Sequence, residues 1–309
     1  MRAAIIGLSG PALTAEEAGL LARYRPLGAI LFRRNIASPA QLRALTDALR
    51  GILGEEAALL VDQEGGRVAR LAPPHWPEFP SAARFEHGPA EAARANAEAI
   101  GRLCAAEGFD VVCAPCLDLR LSGAHAVIGD RAFSADPAEV ARLGAAWVAG
   151  LRAGGAIPVI KHIPGHGRAE LDSHEALPVV AEAPAVLEAD IAPFRALAAA
   201  DLWAMTAHIL YPAWDEALCA TLSPRVIGRV IRGEIGFPGF LISDDLAMRA
   251  LSGGLGARTR AALAAGCDAV LHCSGVAAET AEVLEAAPFL SPGAEARLAA
   301  ARAALPTHA

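Results

Sequence analysis

The sequence predicts an α/β fold: a single (β/α)8 barrel of the TIM type, with long loops after strands three and five. Three observations carry this expectation. Short β-rich apolar runs recur eight times along the chain, alternating with stretches of helical period. The eight units use up the whole length with no linker or low-complexity segment, so residues 1–309 read as one domain. Hydrophobic residues make up 54% and charged residues 20%, enough apolar material for a buried core and too much for a disordered chain.

The first run, residues 3–8, leads through Pro11 to Thr14 and Glu17, a T-x-x-E capping box. The N-terminal segment therefore reads as a buried strand feeding a helix rather than as a signal peptide. The second run covers 28–32. The third, 58–62, ends in Asp62-Gln63-Glu64-Gly65-Gly66-Arg67, and a helical stretch follows at 90–107. The fourth, 109–114, is followed past Pro115 by Asp118 and Gly129-Asp130-Arg131, then by helical residues 137–154. The fifth, 157–161, ends in Lys161-His162, with a helix expected over 186–199. The sixth, 202–207, ends at His208 before a helix at 224–235; the seventh, 239–243, ends in Ser243-Asp244-Asp245; the eighth covers 268–272. In such a barrel the strand ends share one face, and here they carry ionisable groups.

Composition excludes several classes of function. A net charge of −7 leaves no basic footprint for nucleic acid or an anionic membrane. No apolar run reaches the ~18 residues of a spanning helix. The cysteines, at positions 104, 113, 116, 219, 267 and 273, are scattered through apolar segments and form no disulfide framework, which points to a reducing, cytoplasmic setting. Cys113-Ala-Pro-Cys116 lacks a second pair at zinc-finger spacing and reads as buried structural thiols. His162, His166, His174 and nearby aspartates are zinc-type ligands, but their spacing is not H-E-x-x-H. A metal-dependent hydrolase is thus the minor reading, and no metal or cofactor is expected.

Among 27 basic residues, Lys161 is the only lysine. In a chain that otherwise uses arginine, this marks a place for a compact point charge instead of a planar fork. It opens the densest polar segment, Lys161-His-Ile-Pro-Gly-His-Gly167, followed by Asp172-Ser-His174. In an extended loop, residues i and i+2 point the same way, so Asp172 is expected to orient His174 as a general acid/base. His166 is expected to stiffen the loop. On the seventh run, adjacent residues face opposite sides, so Asp244 is expected at the barrel mouth and Asp245 as a helix cap. A carboxylate at Asp244's position can attack the anomeric carbon of a sugar. Asp62 and the arginines after it suit bidentate pairing with sugar hydroxyls.

V-D-Q-E-G-G-R, K-H-x-P-G-H-G, D-S-H, A-H-I-x-Y-P-A, A-T-L-S-P and S-D-D-L-x-M occur in this order across nearly the whole chain. Together they resemble glycoside hydrolase family 3, and within it the single-domain bacterial β-N-acetylhexosaminidases of the NagZ group. The resemblance implies removal of β-linked N-acetylglucosamine from the non-reducing end of cytoplasmic peptidoglycan fragments (GlcNAc-1,6-anhydro-MurNAc peptides) in cell-wall recycling, by a monomer. It implies Asp244 as nucleophile, His174 as acid/base and Asp172 as its partner, with Asp62, Arg70, Arg131, Lys161 and His162 binding the sugar. Ala69 and Ile163 depart from the glutamine and phenylalanine common at those positions. The competing expectations are substrate-assisted cleavage, a β-glycoside phosphorylase or another β-glycosidase on the same scaffold, and a barrel that only binds sugar.

Overall fold

The computed structural model describes residues 1–305; residues 306–309 of the expected domain lie outside them. Eight parallel strands close into a barrel: β1 (Arg2–Gly7), β2 (Pro26–Leu31), β3 (Ala58–Val61), β4 (Val111–Val112), β5 (Ile157–Ile163), β6 (Trp203–Thr206), β7 (Phe240–Asp245) and β8 (Ala269–His272). Each strand pairs with its neighbours in sequence, and β8 closes onto β1 with Ile5 opposite Leu271. Around them lie α1 (Ala15–Tyr24), α2 (Pro39–Leu53), α3 (Ala90–Ala106), α4 (Pro137–Ala153), α5 (Pro184–Ala196), α6 (Val226–Glu234), α7 (Leu255–Ala265), α8 (Ala277–Ala286) and α9 (Pro292–Ala303). The longest connections cover 62–89, 113–136, 164–183 and 207–225, all on the C-terminal side of the strands.

The α1 capping box forms as its sequence requires. Thr14 Oγ1 accepts from the Glu17 amide at 3.1 Å, and Glu17 accepts from the Thr14 amide at 2.9 Å. Two elements differ from expectation. The fourth strand shrinks from 109–114 to two residues because the Ala114 amide turns back to the Val112 carbonyl and Pro115 has no N–H to donate. The segment expected as an ordinary helix at 224–235 is wound as a π-helix, with the Ile235 amide reaching the Val230 carbonyl at 2.8 Å. Its apolar face, Val226, Ile227, Val230 and Ile231, is still buried.

Strand alternation divides the core in two. Ala58 and Leu60 on β3, Ile157 and Val159 on β5, and Phe240 and Ile242 on β7 point into the barrel, while Leu59, Val61, Ile160 and Leu241 face the helices. The next inward positions, two residues on, are Asp62, Lys161 and Asp244. Close approach of neighbouring strands also constrains sequence: a Cβ on Gly28 would stand 1.8 Å from the Ala58 carbonyl oxygen.

At the opposite end, α9 closes the barrel. Leu290, Ala294, Leu298 and Ala301 belong to the interior cluster, and Arg297 Nη1 reaches Asp268 Oδ1 at 2.8 Å. Leu298→Ala should therefore lower unfolding free energy by about 2–5 kcal/mol. Denaturant unfolding measures the loss, and KM should not move because the cavity lies away from the strand C-terminal ends; a KM change would show that α9 supports more than the core.

Candidate active site

A pocket of about 340 Å³ opens at the C-terminal ends of the strands. Asp62, Arg70, Arg131 and Lys161 line it, together with His162, Asp172, His174 and Asp244, so the structure brings all eight predicted residues to one cavity.

The pocket floor is a row of alternating charges. Lys161 Nζ lies 2.9 Å from Asp62 Oδ1 and 2.6 Å from Glu64 Oε1. Arg70 bonds the other Asp62 oxygen at 3.0 Å, and Arg131 grips Glu64 with two bonds of 2.8 and 2.9 Å. The segment after β3 folds back as a short hairpin, Gln63–Gly65 against Val68–Ala69, through Gly65 and Gly66, both with positive φ. Buried Gln63 ties it down by accepting the Arg70 and Leu71 amides and donating to the Leu71 carbonyl.

Burial raises the Asp62 and Glu64 carboxyls, but the cations outweigh it. Lys161 and Arg70 hold Asp62 well below the carboxylate range, and Arg131 and Lys161 bring Glu64 to about 2. Burial likewise opposes the Lys161 ammonium, and the two carboxylates keep it charged. Lys161 is thus committed first to its neighbours: it donates a hydrogen bond to Asp62 and is ion-paired with Glu64.

At the end of β5 the register shifts between Lys161 and Ile163, and His162 also reaches the pocket wall. Behind it lies Asp118, whose Oδ2 is 2.7 Å from His162 Nδ1 and whose Oδ1 accepts from the His166 amide at 2.6 Å. His166 is buried and stacks edge-on to His162. Burial, then the neighbouring His162, pushes its pKa down to about 4, so the ring is neutral near pH 7.

Asp244 extends from β7 and accepts from the Asp245 amide at 2.8 Å. Burial raises its carboxyl, while His208 and His162 together pull it below the ordinary value, so it is ionised at neutral pH. His208 itself is buried and bonds the Asp245 carbonyl through Nε2 at 2.9 Å, steadying the same strand end. Asp245 caps no helix, contrary to expectation. Its Oδ1 accepts from the Ala247 and Cys273 amides, holding the turn after β7 against the segment after β8, and the next helix begins only at Leu255.

Asp172 and His174 do pair, at 2.7 Å through His174 Nδ1, but not by the expected extended geometry. Residues 172–176 form a turn in which the Glu175 and Ala176 amides reach the Asp172 carbonyl, and Asp172 Oδ1 also accepts the His174 amide. An Asx turn makes the contact, because a short carboxylate readily bonds the backbone two residues on. The His174 side chain is 66% exposed, against 8% for His162. Between the pair, buried Ser173 meets His166 Nε2 at 3.3 Å.

Sequence reasoning left Glu64 and Asp118 without roles. Glu64 stands two residues after Asp62, on the same side of an extended segment, and that spacing was the available signal. The histidines of the zinc reading do not converge: among the described residues, the group of possible ligands that comes together is Cys116, Asp118 and His162, already joined by hydrogen bonds. Cys113 and Cys116 are free and buried, while Cys273 reaches the pocket lining. Among the described residues, no helix is long and apolar enough to cross a membrane.

The profile of the family described as glycosyl hydrolase family 3 N terminal domain matches residues 4–302. The chain is 45% identical over 306 residues to a β-hexosaminidase of Alkalilimnicola ehrlichii, covering 95% of this chain and 86% of that protein. Among solved structures it is similar to NagZ from Neisseria gonorrhoeae in complex with N-trifluoroacetyl-D-glucosamine, at 33% identity and TM-score 0.88, covering 97% and 89% of the two chains. It is also similar to a family 3 β-N-acetylglucosaminidase from Paenibacillus sp. str. FPU-7, at 36% identity and TM-score 0.86, covering 92% of this chain and 56% of that one.

Replacing Lys161 by methionine leaves half-buried Asp62 and buried Glu64 each with one arginine but without the cation between them. It should cost about 3–5 kcal/mol in denaturant unfolding. Both carboxyls hold protons more weakly when folded, so their contribution is complete above the ordinary range of about 4 and is lost as pH falls. The gap between wild type and variant should therefore narrow toward pH 2, where Glu64 takes its proton. A gap that stays constant with pH would contradict a coupled row.

Proposed function

Because the chain belongs to glycosyl hydrolase family 3 and is a glycoside hydrolase of the β-hexosaminidase type, we propose that it is a retaining exo-β-N-acetylglucosaminidase. Its substrates in this proposal are cytoplasmic peptidoglycan fragments, GlcNAc-1,6-anhydro-MurNAc peptides released in cell-wall recycling. Residues 1–309 act as one catalytic domain and as a monomer.

One observation carries the mechanism: a half-buried, ionised carboxylate at a strand end shares its pocket with an exposed imidazole held by a second carboxylate. Asp244 attacks the anomeric carbon as His174 gives the proton on Nε2 to the departing glycosidic oxygen. The C1–O bond breaks and a glycosyl ester forms on Asp244. His174 then takes a proton from water, whose oxygen attacks C1 and releases the carboxylate, so two inversions return the β-configuration. Asp172 accepts from Nδ1 throughout and keeps Nε2 aimed at the reacting oxygen. The charged floor binds sugar hydroxyls: Arg70, Arg131 and Asp62 are rigid before substrate arrives, and Lys161 has one donor beyond its two ion pairs. His162 adds a ring at the wall. Most glycosidases use two carboxylates. Here the acid sits on an exposed turn, which lets it approach and leave the bound sugar.

A fluorosugar that forms the ester quickly and loses it slowly tests this directly. Mass mapping should find the adduct on the peptide containing Asp244, and the first released sugar should be the β-anomer by NMR. An inverted product, or an adduct on another residue, would reject the mechanism.

A further inference from the structure

Behind the pocket wall lies a second pairing of aspartate with histidine, and the chemistry above gives its aspartate no role. Asp118 is 1% exposed and lies behind His162. Its Oδ2 meets His162 Nδ1 at 2.7 Å and the Cys116 thiol at 3.1 Å. Its Oδ1 accepts the His166 amide at 2.6 Å, and the His162 amide reaches both oxygens at 3.2 and 3.3 Å. Backbone N–H groups can only donate, so at this site the carboxylate is an acceptor on every side. That leaves one assignment for the ring nitrogen facing it.

We propose that Asp118 is a positioning residue that fixes His162 with its proton on Nδ1, so that the unprotonated Nε2 faces the pocket as an acceptor for a sugar hydroxyl. The proposal rests on the sugar-binding reading of His162. It also gives the two pairs different work. The Asp172–His174 pair is exposed and must exchange protons; the Asp118–His162 pair is buried and must not. The donors packed around Asp118 support the acceptor state: burial raises its carboxyl, but contacts with His162 and the His166 amide hold it well below the ordinary range. The charged floor offers hydroxyl donors from Lys161, Arg70 and Arg131, so an acceptor at the wall complements them: a sugar hydroxyl can accept from the floor while donating to Nε2.

Asp118→Asn is the discriminating change. The amide oxygen can keep the backbone donors, and the NH₂ then faces His162 Nδ1, which must become the acceptor and send its proton to Nε2. Nitrogen-15 NMR of the full-length protein with labelled histidine reads the tautomer, with the His162 resonance assigned from His162→Gln. In wild type, Nδ1 should carry the proton and Nε2 should be bare, and adding N-acetylglucosamine should move the Nε2 resonance. In Asp118→Asn the tautomer should switch, and KM for a chromogenic β-GlcNAc should rise roughly tenfold with a smaller change in kcat. A wild-type ring protonated on Nε2 overturns the proposal whether or not the variant folds. A folded variant with unchanged tautomer and KM does the same. If no sugar binds or is hydrolysed, the functional reading fails, while the tautomer measured without sugar still decides the role of Asp118.

Discussion

A single ammonium buried between two carboxylates governs the mouth of this barrel. Lys161 is 2% exposed, and a charge so placed is costly unless opposite charges surround it. Asp62 and Glu64 supply them, and each of those is balanced in turn by an arginine, Arg70 and Arg131. Removing either carboxylate would leave three cations against a single anion. The chain's only lysine stands where three rotatable donors on a compact charge fit between two acceptors, and arginine's planar fork does not replace it.

The same alternation that packs the barrel builds this row. Ile157 and Val159 fill the interior of β5, and the next inward position is Lys161; Phe240 and Ile242 do so on β7, and the next is Asp244. The site is therefore the top layer of the core, with side chains held by strands. The Asp172–His174 pair is built differently, by a turn on a connection that leaves the imidazole exposed. In the proposed mechanism, an ion-paired floor and a separate exposed imidazole divide binding from proton transfer.

Much of the fold was legible because short apolar runs alternated with stretches of helical period, and that pattern survives shifts of a residue or two at strand ends. What failed depended on hydrogen bonds that periodicity does not encode. β4 lost most of its predicted length to a backbone turn before Pro115, and 226–234 took wider winding than its apolar pattern required. Asp172 and His174 were recognisable as partners, yet an Asx turn joins them. Asp118 was visible as a polar residue after strand four, but its partners His162 and His166 lie 44 and 48 residues away, and only the closed barrel brings them together. Glu64 was left without a role, although its spacing from Asp62 placed it on the same side.

The division between floor and loop is the central claim, and the leaving-group dependence of His174→Ala tests it most directly. With an activated aryl leaving group that needs no proton, kcat/KM for glycosylation should fall little. With an unactivated sugar leaving group it should fall by roughly 10²–10⁴, the usual worth of a positioned acid. KM for the aryl substrate should not rise, because the floor proposed to bind the sugar is intact. An equal loss on both substrates would contradict the account by placing His174 in binding or folding instead of proton transfer.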